Sequence, residues 1–165
     1  MTTIRPRRLR TTAAMRSLVR ETRVSPAQLV LPVFVRDGLD EPSPIESMPG
    51  VLQHTLDSLR REAVRASQAG LGGLMLFGVP LDGDKDAAGS CGEEPDSILN
   101  RGLRAVREEV GNSLVVMADT CLDEFTSHGH CGVLDARGRV DNDATVEAYV
   151  RLAVSQADAG AHVVG

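Results

Sequence analysis

The segment TLDSLRREAVRASQAGLGGLMLFG, residues 55–78, decides the fold class. In its first part, apolar residues recur at helical steps of three and four, and Gly70 supplies a helix stop. These apolar positions are Leu56, Leu59, Ala63 and Ala66. Residues 72–78 form a short apolar run after glycine, which is typical of a buried strand in a parallel sheet. The segment therefore predicts a helix that leads directly into a strand.

The same alternation extends in both directions from this segment. Apolar runs predict strands at residues 29–35, 72–78, 114–118 and 161–165. Helices are predicted at residues 11–21, from Thr55 to Gly70, from Asp96 to Gly111, and from a cap at Asp143 to Gly160. Residues 37–50 are predicted to be loop, and residues 133–143 a small hairpin around Gly138. Pro32 predicts that the first strand is interrupted or irregular, because proline cannot donate to a ladder.

Strand–helix units at intervals of roughly 40 to 47 residues predict a parallel sheet with right-handed crossovers. Four such strands could form an open flavodoxin-like sheet or half of an eight-stranded barrel. The last predicted strand, at 161–165, would leave an unprotected sheet edge. We therefore expect the 165 residues to be a truncated part of a longer protein.

Composition narrows the function classes. The net charge of −5 argues against nucleic acid as the main partner, although seven arginines fall within the first 23 residues without interleaved aromatic residues. No apolar run approaches the roughly 18 residues that span a bilayer, so no membrane partner is expected. The basic start imitates a transit peptide, but Pro6 and the missing apolar region favour a cytoplasmic location. Three cysteines, an odd number, favour a metal site or a reactive thiol over a disulfide framework.

The densest chemical signal is DTCLDEFTSHGHCG, residues 119–132, which starts where the third predicted strand ends. Two thiols, two imidazoles and three carboxylates fall within 13 residues. Active sites of parallel α/β folds form at this edge of the sheet, and thiolate and imidazole are preferred zinc ligands. A metal site is the first interpretation. The alternatives are an inert loop and a hydrolase site built on His128 and His130.

The stretch resembles the metal loop of the porphobilinogen synthases (5-aminolaevulinate dehydratases), in which a Cys-x-Cys and a third cysteine after His-Gly-His hold zinc. Other stretches of the family resemble this chain in the same order, from about residue 5 to residue 165. They are Arg5-Pro-Arg-Arg-Leu-Arg, Leu29-Val-Leu-Pro-Val-Phe-Val, Ser47-Met-Pro-Gly-Val, Leu76-Phe-Gly-Val-Pro, Lys85-Asp-x-x-Gly-Ser and Val140-Asp-Asn-Asp-x-Thr.

The resemblance implies an N-terminal arm followed by the first half of a (β/α)8 TIM barrel. The arm would be residues 1–25, an oligomerisation element that commonly builds homo-octamers, and residues 26–165 would carry the first four barrel strands. The family condenses two molecules of 5-aminolaevulinate to porphobilinogen with loss of two waters, early in tetrapyrrole (haem) biosynthesis. By residue match, Cys121 and Cys131 would be thiolate ligands, and Asp119 a catalytic aspartate that assists proton transfer.

Asp123 departs from the zinc-type pattern, because it occupies the place of the middle cysteine. It is either a third, carboxylate ligand or a solvated loop acid. Two thiolates favour zinc, since magnesium prefers oxygen ligands. Magnesium, which magnesium-type members bind through aspartates, stays possible here or at an allosteric site.

The second departure concerns lysine. The family's chemistry needs lysines on later strands that form Schiff bases with substrate. Lys85 is the chain's only lysine, and we interpret it as a loop residue paired with an acid such as Asp86. The chain alone is therefore expected to be inactive, and a non-catalytic zinc-binding or assembly fragment is the alternative function. Cys91 is interpreted as a loop cysteine without a role.

Overall fold

The computed structural model describes residues 3–165, which form one six-stranded sheet, four α-helices and short 3-10 turns. The strands are β1 (Val30–Arg36), β2 (Ser43–Pro44), β3 (Leu52–His54), β4 (Gly73–Val79), β5 (Val115–Ala118) and β6 (Val163–Val164). The helices are α1 (Ala13–Val19), α2 (Leu56–Gln68), α3 (Ile98–Val110) and α4 (Asn142–Asp158). None of the helices within the described range is both long and apolar enough to cross a bilayer.

The sheet has the strand order β2-β3-β1-β4-β5-β6. Strands β1, β4, β5 and β6 are parallel neighbours in chain order, and they are the four strands that the apolar runs predict. A flavodoxin-like sheet would interrupt this order and carry helices on both faces. Sequential parallel strands with helices on one face are the arrangement of half a TIM barrel.

The prediction that residues 37–50 are only loop was wrong in part. Ser43 and Pro44 form β2, which pairs antiparallel with β3, and β3 in turn lies parallel to β1. Both strands are very short and carry no apolar alternation, so sequence periodicity does not reveal them. Strand β3 forms on the free edge of β1, and β2 then forms on the free edge of β3.

The predicted interruption at Pro32 was also wrong, since β1 runs unbroken from Val30 to Arg36 and Pro32 pairs with Met75 of β4. Successive residues of a strand direct their backbone N–H and C=O groups to its two edges in turn. The Leu29 carbonyl and the Asp37 amide both bond toward β4. The nitrogen of Pro32, an odd number of residues from each, therefore faces the opposite edge. There β3 reaches only Phe34 and Val35. Proline is tolerated because no ladder bond is lost.

Helix starts follow side-chain caps. Thr55 caps α2 and Ser97 caps α3, each by accepting a bond from a backbone amide three residues on. The prediction that Asp143 caps the last helix was wrong. Asp141 is the cap, with its carboxylate 3.1 Å from the Ala144 amide, and Asp143 lies in the first turn. The predicted hairpin at 133–143 is present as a bridge between Leu134 and Val140.

One face of the sheet carries the core. Alternate strand residues point into it and meet α2, α3 and α4. The fully buried residues of this layer include Val35, Leu59, Leu74, Leu76, Leu99, Leu103, Val106, Val116 and Ala118. The opposite face stays partly open and is apolar, with Phe34 stacked on Phe77 at a centroid distance of 5.0 Å. In a closed barrel this face is the packed interior.

The segment ahead of the sheet is almost entirely exposed. No residue from 3 to 29 is buried, and only Met15 of α1 is half-buried. Apolar side chains such as Ile4, Leu18 and Val24 are more than two-thirds exposed. The assembly role of residues 1–25 stays a prediction.

Candidate metal centre

The loop that the sequence singles out, residues 119–132, leaves the carboxyl end of β5. The amide of Asp119 still bonds to the Leu76 carbonyl at 3.0 Å, and the loop then turns away from the ladder. Leu122 and Phe125 of this loop are fully buried in the core. The polar residues between and beyond these two anchors are therefore held at the edge where barrel enzymes build their sites.

Three predicted ligands come together in this loop. Three donor atoms lie within 4.8 Å of one another: the Cys121 sulfur, a carboxylate oxygen of Asp123 and the Cys131 sulfur. Cys121 is half-buried, whereas Asp123 and Cys131 are exposed and so accessible to an incoming ion. Two thiolates and one carboxylate fit zinc, and they would leave an open coordination position, as catalytic zinc sites do. The donor set fits the group that the resemblance implies.

The loop is tied to the neighbouring β4–α3 loop by main-chain contacts. The Ser127 amide donates to the Asp86 carbonyl at 2.8 Å, and Asp86 and Thr126 form a bridge. The ring nitrogen Nε2 of His128 lies 3.1 Å from the Ala87 carbonyl. These bonds fix the half of the loop that leads to Cys131.

The two histidines take no part in the cluster of donors found among residues 3–165. Both ring nitrogens of His128 are engaged, because Nδ1 accepts from the His130 amide at 3.1 Å while Nε2 faces Ala87. His128 thus acts as a brace within the loop. This arrangement gives the hydrolase alternative no support.

Asp119 sits at the strand end, half-buried. Burial, together with the negative charge of Asp123, raises the pKa of Asp119. A raised pKa makes a carboxylate a better proton acceptor, which an acid–base group requires. This agrees with the proton-transfer role that the resemblance implies, although that role stays a prediction.

Glu124 is a polar group of the site whose role the sequence does not reveal. Its Oε2 accepts from the Gly78 amide of β4 at 3.1 Å. The pairing of β4 with β5 ends at Leu76, so no residue of β5 pairs with Gly78. Burial, and then the charges of Asp119 and Asp123, raise the pKa of Glu124 to about 8. The side chain thus replaces a strand partner and is largely protonated at neutral pH.

This raised pKa predicts a pH dependence of stability. The folded, metal-free chain holds the Glu124 proton more tightly than the unfolded chain, so its free energy of unfolding should fall as pH rises from about 4.5 to 8. Glu124→Gln keeps an acceptor for Gly78 and stays neutral. We expect this variant to be more stable than the native chain above pH 8, by on the order of 3 kcal/mol, and equal at pH 4.5.

Urea unfolding at several pH values with a chelator present measures this difference. Glu147→Gln, on the exposed side of α4, is the matched control and should follow the native chain at every pH. A constant difference between Glu124→Gln and the native chain from pH 4.5 to 9 would contradict the prediction.

Cys121 faces Tyr149 of α4. The Tyr149 hydroxyl lies 3.6 Å from the Cys121 sulfur and donates to the Cys131 carbonyl at 2.9 Å. Burial, followed by the hydrogen bond with Asp123, raises the pKa of Cys121 to about 11. The metal-free thiol is therefore protonated at neutral pH, and a metal must displace its proton to bind.

The β4–α3 loop also contains Cys91 and Lys85, and neither belongs to the donor cluster. Cys91 lies outside the donor cluster, with its sulfur 3.8 Å from the Phe125 carbonyl, and burial raises its pKa. Lys85 pairs with a loop acid as predicted, but the partner is Asp82 and not Asp86. The Lys85 ammonium lies 3.0 Å from Asp82, because Asp86 is engaged by the amides of Ala88 and Ser90 and by the Ser90 hydroxyl.

Comparison with known proteins identifies the family of this chain. The family model described as delta-aminolevulinic acid dehydratase matches residues 3–165. The enzymes of that name from Mycobacterium tuberculosis and Streptomyces coelicolor are 68% and 65% identical over 161 residues, which is 98% of this chain and 49% of each relative. The chain thus spans about half the length of these curated relatives.

A solved structure shares the fold. The Toxoplasma gondii delta-aminolevulinic acid dehydratase (porphobilinogen synthase), crystallised with its reaction product porphobilinogen, superposes with a TM-score of 0.92 at 36% identity. The match covers 99% of this chain and 46% of that one. Since the family match spans residues 3–165 and the relatives are this similar, the chain belongs to the delta-aminolevulinic acid dehydratase family.

Proposed function

We propose that this chain supplies the metal-binding part of a porphobilinogen synthase active site. The reaction joins two molecules of 5-aminolaevulinate into porphobilinogen, releases two waters and belongs to tetrapyrrole biosynthesis. The observation that supports this proposal is the convergence of Cys121, Asp123 and Cys131, whose donor atoms lie within 4.8 Å at the carboxyl edge of a barrel-like sheet.

The proposed metal is zinc, with Cys121, Asp123 and Cys131 as ligands. Zinc supplies Lewis acidity toward a carbonyl oxygen or a bound water at such a site. Magnesium is the weaker alternative at these three residues, since thiolates are poor magnesium ligands. Asp119, half-buried beside Asp123, is proposed to accept and return protons at the substrate.

Assembly and location complete the proposal. Residues 1–25, exposed wherever the structure describes them, are proposed to embrace a second copy of the protein in a homo-oligomer, an octamer in the form the family commonly adopts. The cytoplasm is the proposed compartment. Neither nucleic acid nor membrane is a proposed partner.

The amine chemistry of the reaction must come from lysine, and Lys85 is badly placed for it. Its ammonium is ion-paired with Asp82 at 3.0 Å, and its side chain is only 22% exposed. A Schiff base requires a free amine, whereas the Lys85 nitrogen is held in this ion pair. We therefore assign Lys85 to the loop and propose that the catalytic lysines are supplied by residues outside these 165.

A chimera tests the function. This chain would replace the matching 161-residue segment of the Mycobacterium tuberculosis relative, and we expect the product to form porphobilinogen from 5-aminolaevulinate. The chain alone should form none. Borohydride trapping should place the substrate adduct on lysines of the relative's remaining half.

Three results would contradict the proposal. A chimera that folds and binds zinc but makes no porphobilinogen would leave the non-catalytic zinc-binding fragment as the function. An adduct on Lys85, located by mass spectrometry, would overturn its assignment to the loop. Full activity of the chimera after chelation and with Cys121→Ser would remove the metal from the reaction.

A further inference from the structure

One face of α4 carries three polar side chains that all contact the metal loop. Thr145, Tyr149 and Gln156 are spaced by four and seven residues, which places them on the same side of a helix. None of the three is exposed, and Gln156 is fully buried. Because a buried polar group needs partners, its partners indicate what the helix face holds.

Gln156 holds the start of the loop. Its amide nitrogen donates to the Asp119 carbonyl at 2.8 Å, and its amide oxygen accepts from the Thr120 hydroxyl at 2.7 Å. Both halves of the amide are therefore used on the two residues directly before Cys121. A fully buried side chain with this pairing fixes where the backbone leaves β5.

Thr145 holds the end of the loop. Its hydroxyl accepts from the Val133 amide at 3.0 Å and donates to the Asp141 carbonyl, which secures it to the first turn of α4. Gly132 permits this close approach, because a Cβ there would lie 2.9 Å from the Thr145 hydroxyl oxygen. The backbone that follows Cys131 is thus fixed to the same helix.

Tyr149 lies between these two contacts and joins the two cysteines. Its hydroxyl donates to the Cys131 carbonyl at 2.9 Å and lies 3.6 Å from the Cys121 sulfur. One phenol oxygen therefore contacts both proposed thiolate residues, which are ten positions apart in the chain. A contact of this kind holds the Cys131 backbone close to the Cys121 sulfur, in addition to what the loop's own conformation does.

We propose that Tyr149 is a positioning residue of the zinc site, and that Thr145 and Gln156 hold the two ends of the loop against the same face of α4. The inference rests on the proposed zinc site. Groups that hydrogen-bond metal ligands orient them, and their loss typically weakens metal binding by about 10- to 100-fold. Tyr149→Phe removes only the hydroxyl and keeps the ring.

The test uses this chain with zinc competition and with Co²⁺ as a spectroscopic substitute. We expect Tyr149→Phe to weaken zinc binding by about tenfold and to shift the thiolate-to-cobalt absorption band. Thr145→Val should weaken zinc binding less, and Thr145→Ser, which keeps the hydroxyl, should bind zinc as the native chain does.

Ser67→Ala is the matched control, because it removes a hydroxyl that bonds Ser113 at 2.9 Å, away from the metal loop. It should leave zinc affinity and the cobalt band unchanged. If the native chain binds zinc while Tyr149→Phe gives the same affinity and the same cobalt spectrum, the positioning role is refuted. If the native chain itself binds no zinc, the proposed zinc site fails instead.

Discussion

Replacing Cys121 and Cys131 together by serine should abolish stoichiometric zinc binding, with a loss of affinity well beyond 100-fold. The loss should be this large because even the removal of a group that only supports a metal ligand weakens binding by about 10- to 100-fold. A serine hydroxyl stays protonated at neutral pH and is a harder, weaker donor than a thiolate. The remaining carboxylate of Asp123 is exposed and cannot hold the ion alone.

The third cysteine provides the control. Cys91 lies in the neighbouring loop, half-buried and outside the donor cluster, so Cys91→Ser should keep the native affinity. Titration with a chromophoric zinc competitor measures all three proteins, and urea unfolding of the metal-free forms separates lost binding from lost folding. In the native chain, bound zinc should protect two of the three thiols from a thiol reagent. A large excess of magnesium should not displace the zinc.

Two outcomes would contradict the assignment of the ligands. Stoichiometric zinc binding by the double serine variant would place the ion elsewhere in the chain. A loss caused by Cys91→Ser equal to that of the double variant would show that the cluster at 119–132 is incomplete as described. Displacement of zinc by magnesium in the native chain would favour the oxygen ligands over the thiolates.

The elements that sequence predicts well are those whose signal is local. Helix α2 starts after the cap Thr55, and strands β1 and β4 coincide with their apolar runs to within one residue, because caps and buried faces act within a few positions. Strands β2 and β3 carry no such signal. Strand β3 is set by pairing with β1, which lies earlier in the chain, and β2 is set by pairing with β3, so only the folded sheet reveals them.

In the candidate site, too, sequence identifies the residues with a local signal and misses those whose partners are distant. Cys121, Asp123 and Cys131 lie on one short loop, so residue type and spacing identify them as candidates, and the fold brings their donor atoms together. The groups that support the loop are distant in sequence. The partner of Glu124 is 46 residues away and that of Tyr149 is 28, and no local pattern connects residues so far apart.

Phe125 shows the same limit, because it is a loop residue by sequence and a core residue by structure. Its side chain is fully buried, and its ring lies against the backbone of the β4–α3 loop. A Cβ added at Gly92 would meet that ring at 2.7 Å, and one at Gly89 would lie 3.4 Å from the Phe125 Cβ. Gly92 thus leaves room for the ring, and Gly89 leaves room for the Cβ of the same residue.

Phe125→Ala should therefore destabilise the folded chain by about 3–5 kcal/mol, the usual cost of removing a buried phenylalanine. That is a large fraction of the 5–15 kcal/mol that stabilises a typical domain. Zinc affinity should fall as well, because the loop loses the anchor that lies between its two proposed thiolate ligands. Urea unfolding and zinc competition on the same samples measure both effects.

Two variants separate the anchor from a general loss of packing. Phe34→Ala removes the same side chain from the open face of the sheet, where it is half-buried against Phe77, so it should cost less stability and leave zinc affinity of the folded fraction unchanged. Gly92→Ala should disturb the contact from the other side and lower the free energy of unfolding by about 1–3 kcal/mol, as overpacking does.

If Phe125→Ala unfolds no more easily than Phe34→Ala, then the ring does not anchor the loop. If Phe125→Ala loses stability but keeps full zinc affinity, then the contacts with α4 are sufficient to hold the ligands, and the metal loop is supported from the helix side alone.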